Sequence, residues 1–526
     1  MPITLTAFAG TQPRYAPRRL EAAIATVAED TKLKDGTLRG FRGDTDVHTF
    51  GQPTETFVRT DSQWEGYDGD VTIVPSPTAD NRVYIAGDGV PKVRDQHGTH
   101  PLALPAPVSA PTATVTGSPV APLADVGYCF TWVTVRAEES QPSDLSPLVA
   151  TDATAIVRVD TFPATPVGRG ITHKRIYRSV VDSLGTTSLF FVAEIAENVA
   201  SYDHDPVATP VNEEISTIFY GTPPDNLEGM VPLQNGMIAA WAGKELYFCE
   251  PYKPHAWPDA YKLFTDYPIV GLAAFGTNLA IMTEGTPYRA QGSTPDTMRM
   301  EQIEQDVPCV SRDSIVDMGY SAVYASTDGL ISITAEGAAM VSTGIFDKEE
   351  WEKLRPDTFN AARFEGQYLY AHLSDAGQQL MGLMNLDPNL PFNTVLNRTV
   401  KAIWFDLTTG DTFALNDGGV VRRMNDPAAA VQAYDWTSKE FMTPAPTNYG
   451  ALMVDADPES GAAGVQVRVM VYGDDVLRAD VLATPDEAVR LPSGYRAKVW
   501  KVRIRSTMRV SRVRIAHTID DIKGVP

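Results

Sequence analysis

Three cysteines in 526 residues, Cys129, Cys249 and Cys309, are too few and too widely spaced for a disulfide framework. Each lies in an apolar strand-like context, which reads as a reduced core thiol. Long apolar runs are missing too. The longest nearly apolar stretch, "IVGLAAFGTNLAIM" (269–282), is broken by Gly, Thr and Asn and is too short to cross a bilayer. The opening "MPITLTAFAGTQPRY" lacks a basic segment followed by a sustained apolar core, so no secretory signal is expected. The motifs that carry chemistry are absent as well: no P-loop, no dinucleotide-type glycine fingerprint, no HExxH, no GxSxG and no CxxC. "RDQHGTH" (94–100) and "YDHD" (202–205) offer ligand-type side chains, but each reads as an exposed polar turn. Neither a metal nor a cofactor is expected.

Positive charge is the scarcer sign. Lys and Arg number 44 against 66 Asp and Glu, a formal net charge of −22. From Arg490 onward ten basic residues face only Asp520 and Asp521, a net of +8 that leaves about −30 for the rest. Such a body repels duplex DNA, since tight non-specific binding comes from neutralising phosphates with Lys and Arg. In the tail, Lys501, Arg503 and Arg505 alternate with Val502 and Ile504, and Arg512 and Arg514 with Val513 and Ile515. Period two places these charges on one strand face, where cross-strand repulsion calls for an acidic surface, the chain's own or a partner's. Arg496, Lys498, Lys501, Arg503, Arg505, Arg509, Arg512 and Arg514 are therefore the candidate assembly surface. At the other end, Arg14, Arg18, Arg19, Lys32, Lys34, Arg39 and Arg42 interleave with acids. Leu20, Ile24 and Val27 fall at helical spacing, so a short helix over about 20–30 in a solvated arm is expected.

What the chain has in abundance is turns: 39 Gly and 39 Pro, with hydrophobic residues at 43%. One hairpin unit recurs in "GKELYFCEP" (243–251), "GTNLAIMTEG" (276–285), "YSAVYASTDGLISITAEG" (320–337), "FEGQYLYAHLSDAG" (364–377) and "AIWFDLTTGDTFALNDGGVVRRMN" (402–425). The marking strands near 247, 280, 324 and 369 are about 33 to 45 residues apart, the spacing of propeller-type repeats. Small sheets of this kind cannot cover both faces alone, and radial stacking covers them while keeping edges short. A further strand pair is expected in "NRVYIAGDGVPKVRD" (81–95). Pro105, Pro107, Pro111, Pro119 and Pro122 then mark a linker, and some seven short strands with Trp132 among them suit a fibronectin type III-like sandwich. The expected fold is mainly β, a propeller-like platform with that sandwich inserted. Its parts are an N-terminal arm with first propeller strands (1–105), the sandwich (106–217), blades (218–445) and a basic C-terminal sheet region (446–526).

Several stretches together resemble the nozzle, or tail tubular, proteins of short-tailed bacteriophages. They are "EPYKPHAWPDAY" (250–261), "VPCVSRDSIV" (307–316), "YASTDGLISI" (324–333), "KRIYRS" (174–179), "FYGTPPDNLEGM" (219–230) and "LEAAIATVAEDTKLKDGTLRG" (20–40). The positions that carry the likeness are Glu250, Pro251, Tyr252, Pro254, His255, Trp257, Pro258, Pro308, Cys309, Ser311, Asp328 and Gly329. The resemblance implies a non-enzymatic virion protein, assembled in the host cytoplasm into a homohexameric ring below the portal-adaptor ring. It also implies contact with tail fibre, spike or needle proteins, and a channel that retains and ejects double-stranded DNA without reading its sequence. The competing expectation is a receptor-binding or glycan-cleaving propeller at the tail tip. "STDGLIS" (326–332) approaches the Ser-x-Asp-x-Gly-x-x-Trp box of sialidase-type blades, but its Gly is one position early and the Trp is missing. An aromatic-lined pocket with two carboxylates would favour that reading; acidic side chains lining a sixfold channel would favour the nozzle.

Overall fold

In the computed structural model, residues 2–60, 63–78, 81–181, 186–211, 213–459 and 466–523 are described. The fold is mainly β, in many small sheets; among the described residues α-helix is confined to Lys348–Glu352 and Ile519–Lys523. Among the described residues no helix is long and apolar enough to cross a membrane. The chain divides into two compact units. One holds Met1–Asp68, Ala280–Pro287 and Gln302–Pro526, the other Gly69–Leu279 and Tyr288–Glu301.

The first unit is built on a ten-stranded sheet that joins the two ends of the chain. Its path runs Asn360–Phe364, Gln367–Leu373, Gln379–Asn385, Phe392–Leu396, Ala25–Glu29, Tyr434–Ser438, Ala497–Ser506, Val467–Gly473, Val476–Ala483, with Phe441–Thr447 also paired to Ala497–Ser506. A second sheet orders Ile3–Leu5, Arg509–Ala516, Ala451–Asp457 and Val489–Arg490. One core serves both: Phe8, Trp436, Trp500, Val502, Ile504, Val513 and Ile515 are all buried in it. Alternation explains the tail strands, for Val502 and Ile504 turn inward while Arg503 and Arg505 turn out.

Two expectations fail here and a third holds only in part. Residues 20–30 hold no helix; Ala25–Glu29 is a strand. A single short helix gains few hydrogen bonds for its nucleation cost, whereas this strand pairs with both Tyr434–Ser438 and Phe392–Leu396. The segment before it is a solvated arm only in part: Phe8, Ala9 and Gly10 are buried, whereas residues 13–19, with Arg14, Arg18 and Arg19 among them, are exposed. Gly10 is needed there, since a Cβ would sit 2.3 Å from the Asn393 carbonyl oxygen. The hairpin around 369 belongs to the ten-stranded sheet instead of a four-stranded repeat.

Four-stranded sheets do recur. In this unit Val316–Asp317, Ala322–Ala325, Leu330–Thr334 and Gly337–Met340 form one in sequence order. Another is made of Ala402–Phe405, Thr412–Leu415 and Val420–Arg423, completed by Thr45–Thr49 from near the N-terminus. Strands Ile269–Phe275, Asn278–Thr283, Tyr288–Gln291 and Arg299–Gln302 form a further sheet of the same order.

In the second unit, Thr72–Pro75, Val83–Gly87, Gly89–Asp95 and Gly98–Pro101 make one four-stranded sheet, and Gly229–Pro232, Ile238–Ala242, Glu245–Phe248 and Leu263–Phe264 another. They share a core of Val74, Tyr84, Val93, Met230, Ile238, Tyr247, Cys249 and Trp257. Between them in sequence lie two three-stranded sheets, Thr112–Thr116 with Ile156–Asp160 and Ser201–His204, and Tyr128–Thr134 with Ile171–Val181 and Thr187–Ala196. Tyr128, Phe130 and Trp132 of one meet Val157 and Val159 of the other in a single cluster. Tyr128–Thr134 is an edge strand, and the chain covers it with its own continuation. Ser140, Ser143 and Ser146 each accept from a strand N–H, of Trp132, Phe130 and Tyr128 at 3.0, 3.2 and 3.0 Å. Three residues of this segment run against two of the strand, a repeated bulge in which hydroxyls take the N–H groups that mispairing leaves over.

Candidate functional site

The basic tail strands are held by acids of the same chain. Arg503 and Arg505 both clasp Asp435 on the adjacent strand, with Arg503 Nε 2.8 Å from Oδ1. Asp435 is buried. Burial works to raise its carboxyl, but the two guanidinium groups outweigh that and hold it below the usual carboxylate range. Arg512 and Arg514 close on Asp455 at 2.6 and 2.9 Å, Lys501 on Asp475 at 2.5 Å, and Arg509 on Asp35 at 3.4 Å. Arg496 and Lys498 are exposed, and among the described residues neither has an ion pair. The acidic surface that the alternation demanded is thus supplied internally, and the free part of the candidate assembly surface reduces to those two side chains.

The resemblance-bearing positions are mostly structural. Cys309 is buried, its thiol 3.3 Å from the Ser311 carbonyl oxygen, and Ser311 Oγ donates to the Phe359 carbonyl at 2.7 Å. The thiols of Cys129, Cys249 and Cys309 are all pushed up to about 12 by burial, which leaves them un-ionised. Asp328 meets Lys348 at 2.9 Å on the surface, beside Gly329.

Of these positions, the loop 250–258 is the part that builds a site. Trp257 is buried; its Nε1 donates to the Pro254 carbonyl at 2.7 Å, and its backbone N–H to Gly221 at 2.8 Å. Gly221 permits that approach, since a Cβ there would stand 2.3 Å from the Trp257 oxygen. The backbone of Glu250 accepts from Lys253, and Glu250 N–H donates to Ala256, so the loop closes on itself through Pro251 and Tyr252 before Pro258 ends it. This rigid turn holds His255 inward and Lys253 over the Tyr220 ring, 4.8 Å from its centroid.

Facing the loop, across a cavity of about 330 Å³, stands the turn that follows Tyr128–Thr134. Arg136 Nε pairs with Glu138 at 2.8 Å, and Arg82 reaches the same carboxylate at 3.5 Å. Glu139 accepts from Thr131 at 2.6 Å and from Arg175 at 2.7 Å. Tyr84, Tyr220 and Tyr252 complete the walls. His255 is 9% exposed, and burial pushes its pKa down although the Glu139 carbonyl accepts from its ring. Sequence reasoning placed His255 on the motif but missed Arg136 and Glu138, whose "RAEES" reads as a charged turn.

A second cleft, of about 560 Å³, is lined by Asp44, Asp46 and Asp417 with Arg398 and Arg422. Each carboxylate is engaged, Asp44 by Arg398 at 2.7 Å, Asp46 by Arg422 at 2.7 Å and Asp417 by Gln379 at 2.7 Å. The expected polar turns divide: 94–100 is a hairpin turn, but His204 of "YDHD" is buried, not exposed. It accepts from Tyr128 Oη at Nδ1 (2.8 Å) and donates from Nε2 to the Thr209 carbonyl (3.2 Å). Among the described residues no group of three or more His, Cys, Asp or Glu is placed to hold a metal.

No described protein family matches this chain, and no curated protein does. Among solved structures it is similar to the Neurospora crassa Pan2 WD40 domain, at a TM-score of 0.29 and 10% identity over 69% of this chain and 91% of that one. It is also similar to the extracellular domain of a hybrid two-component system from B. thetaiotaomicron, at a TM-score of 0.23 and 9% identity over 73% and 52%. At these values neither likeness bears on fold or function.

Proposed function

We propose that this chain is a structural virion protein that forms the tail nozzle, a homohexameric ring below the portal-adaptor ring through which double-stranded DNA is retained and ejected. The recurring four-stranded sheets are then blades of a propeller-like platform, one of them closed by Thr45–Thr49, and the paired three-stranded sheets are a fibronectin type III-like insert. The observation that carries the reading is the fate of the basic tail. Asp435, Asp455 and Asp35 engage its guanidinium groups, so among the described residues only Arg496 and Lys498 of that surface stay unpaired against the net charge of −22. A wall of that character lets DNA pass without phosphate contacts that would have to be broken in transit. Fibre, spike or needle proteins would bind the same ring.

Quantitative mass spectrometry of purified particles tests it. Half the portal's copy number is expected for a sixfold ring under a twelvefold one. A clearly different ratio, or absence from particles, overturns the nozzle.

The tail-tip reading keeps one observation in its favour: the cavity in the second unit combines three tyrosines with Glu138 and Glu139. Both carboxylates are already held by arginines, which suits ligand recognition better than acid–base cleavage of a glycoside. Hydrolysis of host-surface glycan by the purified chain would reverse that preference.

A further inference from the structure

The same cavity carries an inference independent of any place in a virion. Three of its buried polar atoms have no hydrogen-bond partner among the described residues: Arg136 Nη1, His255 Nε2 and Thr217 Oγ1. The three residues are 9%, 9% and 2% exposed. Leaving one such group dry costs about 1–3 kcal/mol, and native folds leave few. Three in one roomy cavity mark a place where something polar binds.

The chemistry of the donors narrows what it is. Arg136 has a guanidinium N–H to give beyond the one held by Glu138, and Thr217 has a hydroxyl. Lys253 brings an ammonium whose contacts are the phenol oxygen and ring of Tyr220, with no carboxylate partner among the described residues. Glu138 and Glu139 are turned to their arginines and to Thr134, Thr131 and Tyr177. The unmet capacity is therefore donor capacity with positive charge behind it. We propose that this cavity is a binding site for a small oxyanion, a phosphate or carboxylate group, held by Arg136, Lys253 and Thr217 with His255 as fourth contact. His255 gives one ring N–H to the Glu139 carbonyl, so its Nε2 is bare in the neutral ring. A proton from a hydrogen phosphate, or one taken up with a carboxylate, turns that nitrogen into a donor as the ligand seats.

Isothermal titration of the full chain with inorganic phosphate and, separately, with acetate tests the site and tells the two sources apart. Saturable binding of at least one is expected, weakened about tenfold or more in Lys253→Gln, whose side chain is exposed and tolerates the change. Thr217→Val is the second variant: removal of an unpartnered buried hydroxyl should raise the melting temperature of the ligand-free chain while weakening binding. Absence of saturable binding of both ions overturns the proposal. So does binding that neither variant alters, or a Thr217→Val chain that melts lower than wild type without ligand.

Discussion

His204 shows how a single side chain can matter without being a ligand. The fold keeps it neutral, because burial lowers its pKa below the ordinary 6.5 and Nδ1 already receives the Tyr128 hydroxyl. Between the unfolded and folded values the unfolded chain binds the extra proton, so this stability is complete above the ordinary value and drains away as pH falls below it. His372 and His255 are depressed by burial in the same sense. Thermal unfolding followed from about pH 7.5 to 5 should show a falling midpoint, and His204→Gln should flatten the slope while lowering the midpoint at neutral pH. Asp435 acts in the other pH range. Its carboxyl is held low, so its contribution is present above the usual carboxylate value and is lost only in stronger acid. Asp435→Asn leaves Arg503 and Arg505 without their anion and should cost on the order of 2 kcal/mol after solvent screening, read from urea denaturation at pH 7. Neither residue was legible in the sequence. The alternation of Arg503 and Arg505 announces that an acid is required, but the register that selects Asp435 is set by a strand pairing some seventy residues apart.

Elements were legible where their pairing is local. Hairpins such as 238–248 and 322–340 show in the sequence because a Gly or turn pair joins two apolar runs, and each strand's partner is the next one. The ten-stranded sheet was not legible, because Ala25–Glu29 finds its partners at Phe392–Leu396 and Tyr434–Ser438, and no local pattern encodes that distance. The serine-covered edge lies between these cases. "SQPSDLSPL" shows serine at every third position, yet it reads as a proline-rich exit until the edge strand is set beside it. Each of the three hydroxyls also donates onward, to the carbonyls of Gln141, Asp144 and Pro147. Ser143→Ala should therefore strand the buried Phe130 N–H and cost about 1–3 kcal/mol, while Asp144→Ala, exposed one position on, should stay within about 0.5 kcal/mol. Equal denaturation midpoints for the two variants would remove the hydroxyls from the edge's protection.

At the scale of the whole molecule, charge is what the sequence conveys and pairing is what it conceals. Composition gives the −22 excess and the basic tail, but not that Asp435, Asp455, Asp475 and Asp35 already face Lys501, Arg503, Arg505, Arg509, Arg512 and Arg514. Reversing Arg503 and Arg505 would thus set like charges against a buried carboxylate and unsettle the sheet, so it cannot separate assembly from folding. Arg496 and Lys498 can. Their side chains are exposed, and the start of the strand they flank is fixed without them, the Lys498 and Val499 backbone N–H groups donating to Asp474 Oδ1 at 3.1 and 3.0 Å. The proposed head-to-tail ring would need two different complementary patches on one subunit, and these two are cations of the tail free to meet the acidic surface of a neighbour in it. Arg496→Glu with Lys498→Glu should leave the isolated chain's unfolding free energy within about 0.5 kcal/mol of wild type. If the chain is the proposed nozzle, sedimentation with the portal-adaptor ring at low salt should show the loss of ring assembly, and wild-type assembly should itself weaken as ionic strength rises and screens the contact. Rings that form as readily in the double variant would exclude these residues from the contact and leave the tail a purely internal device.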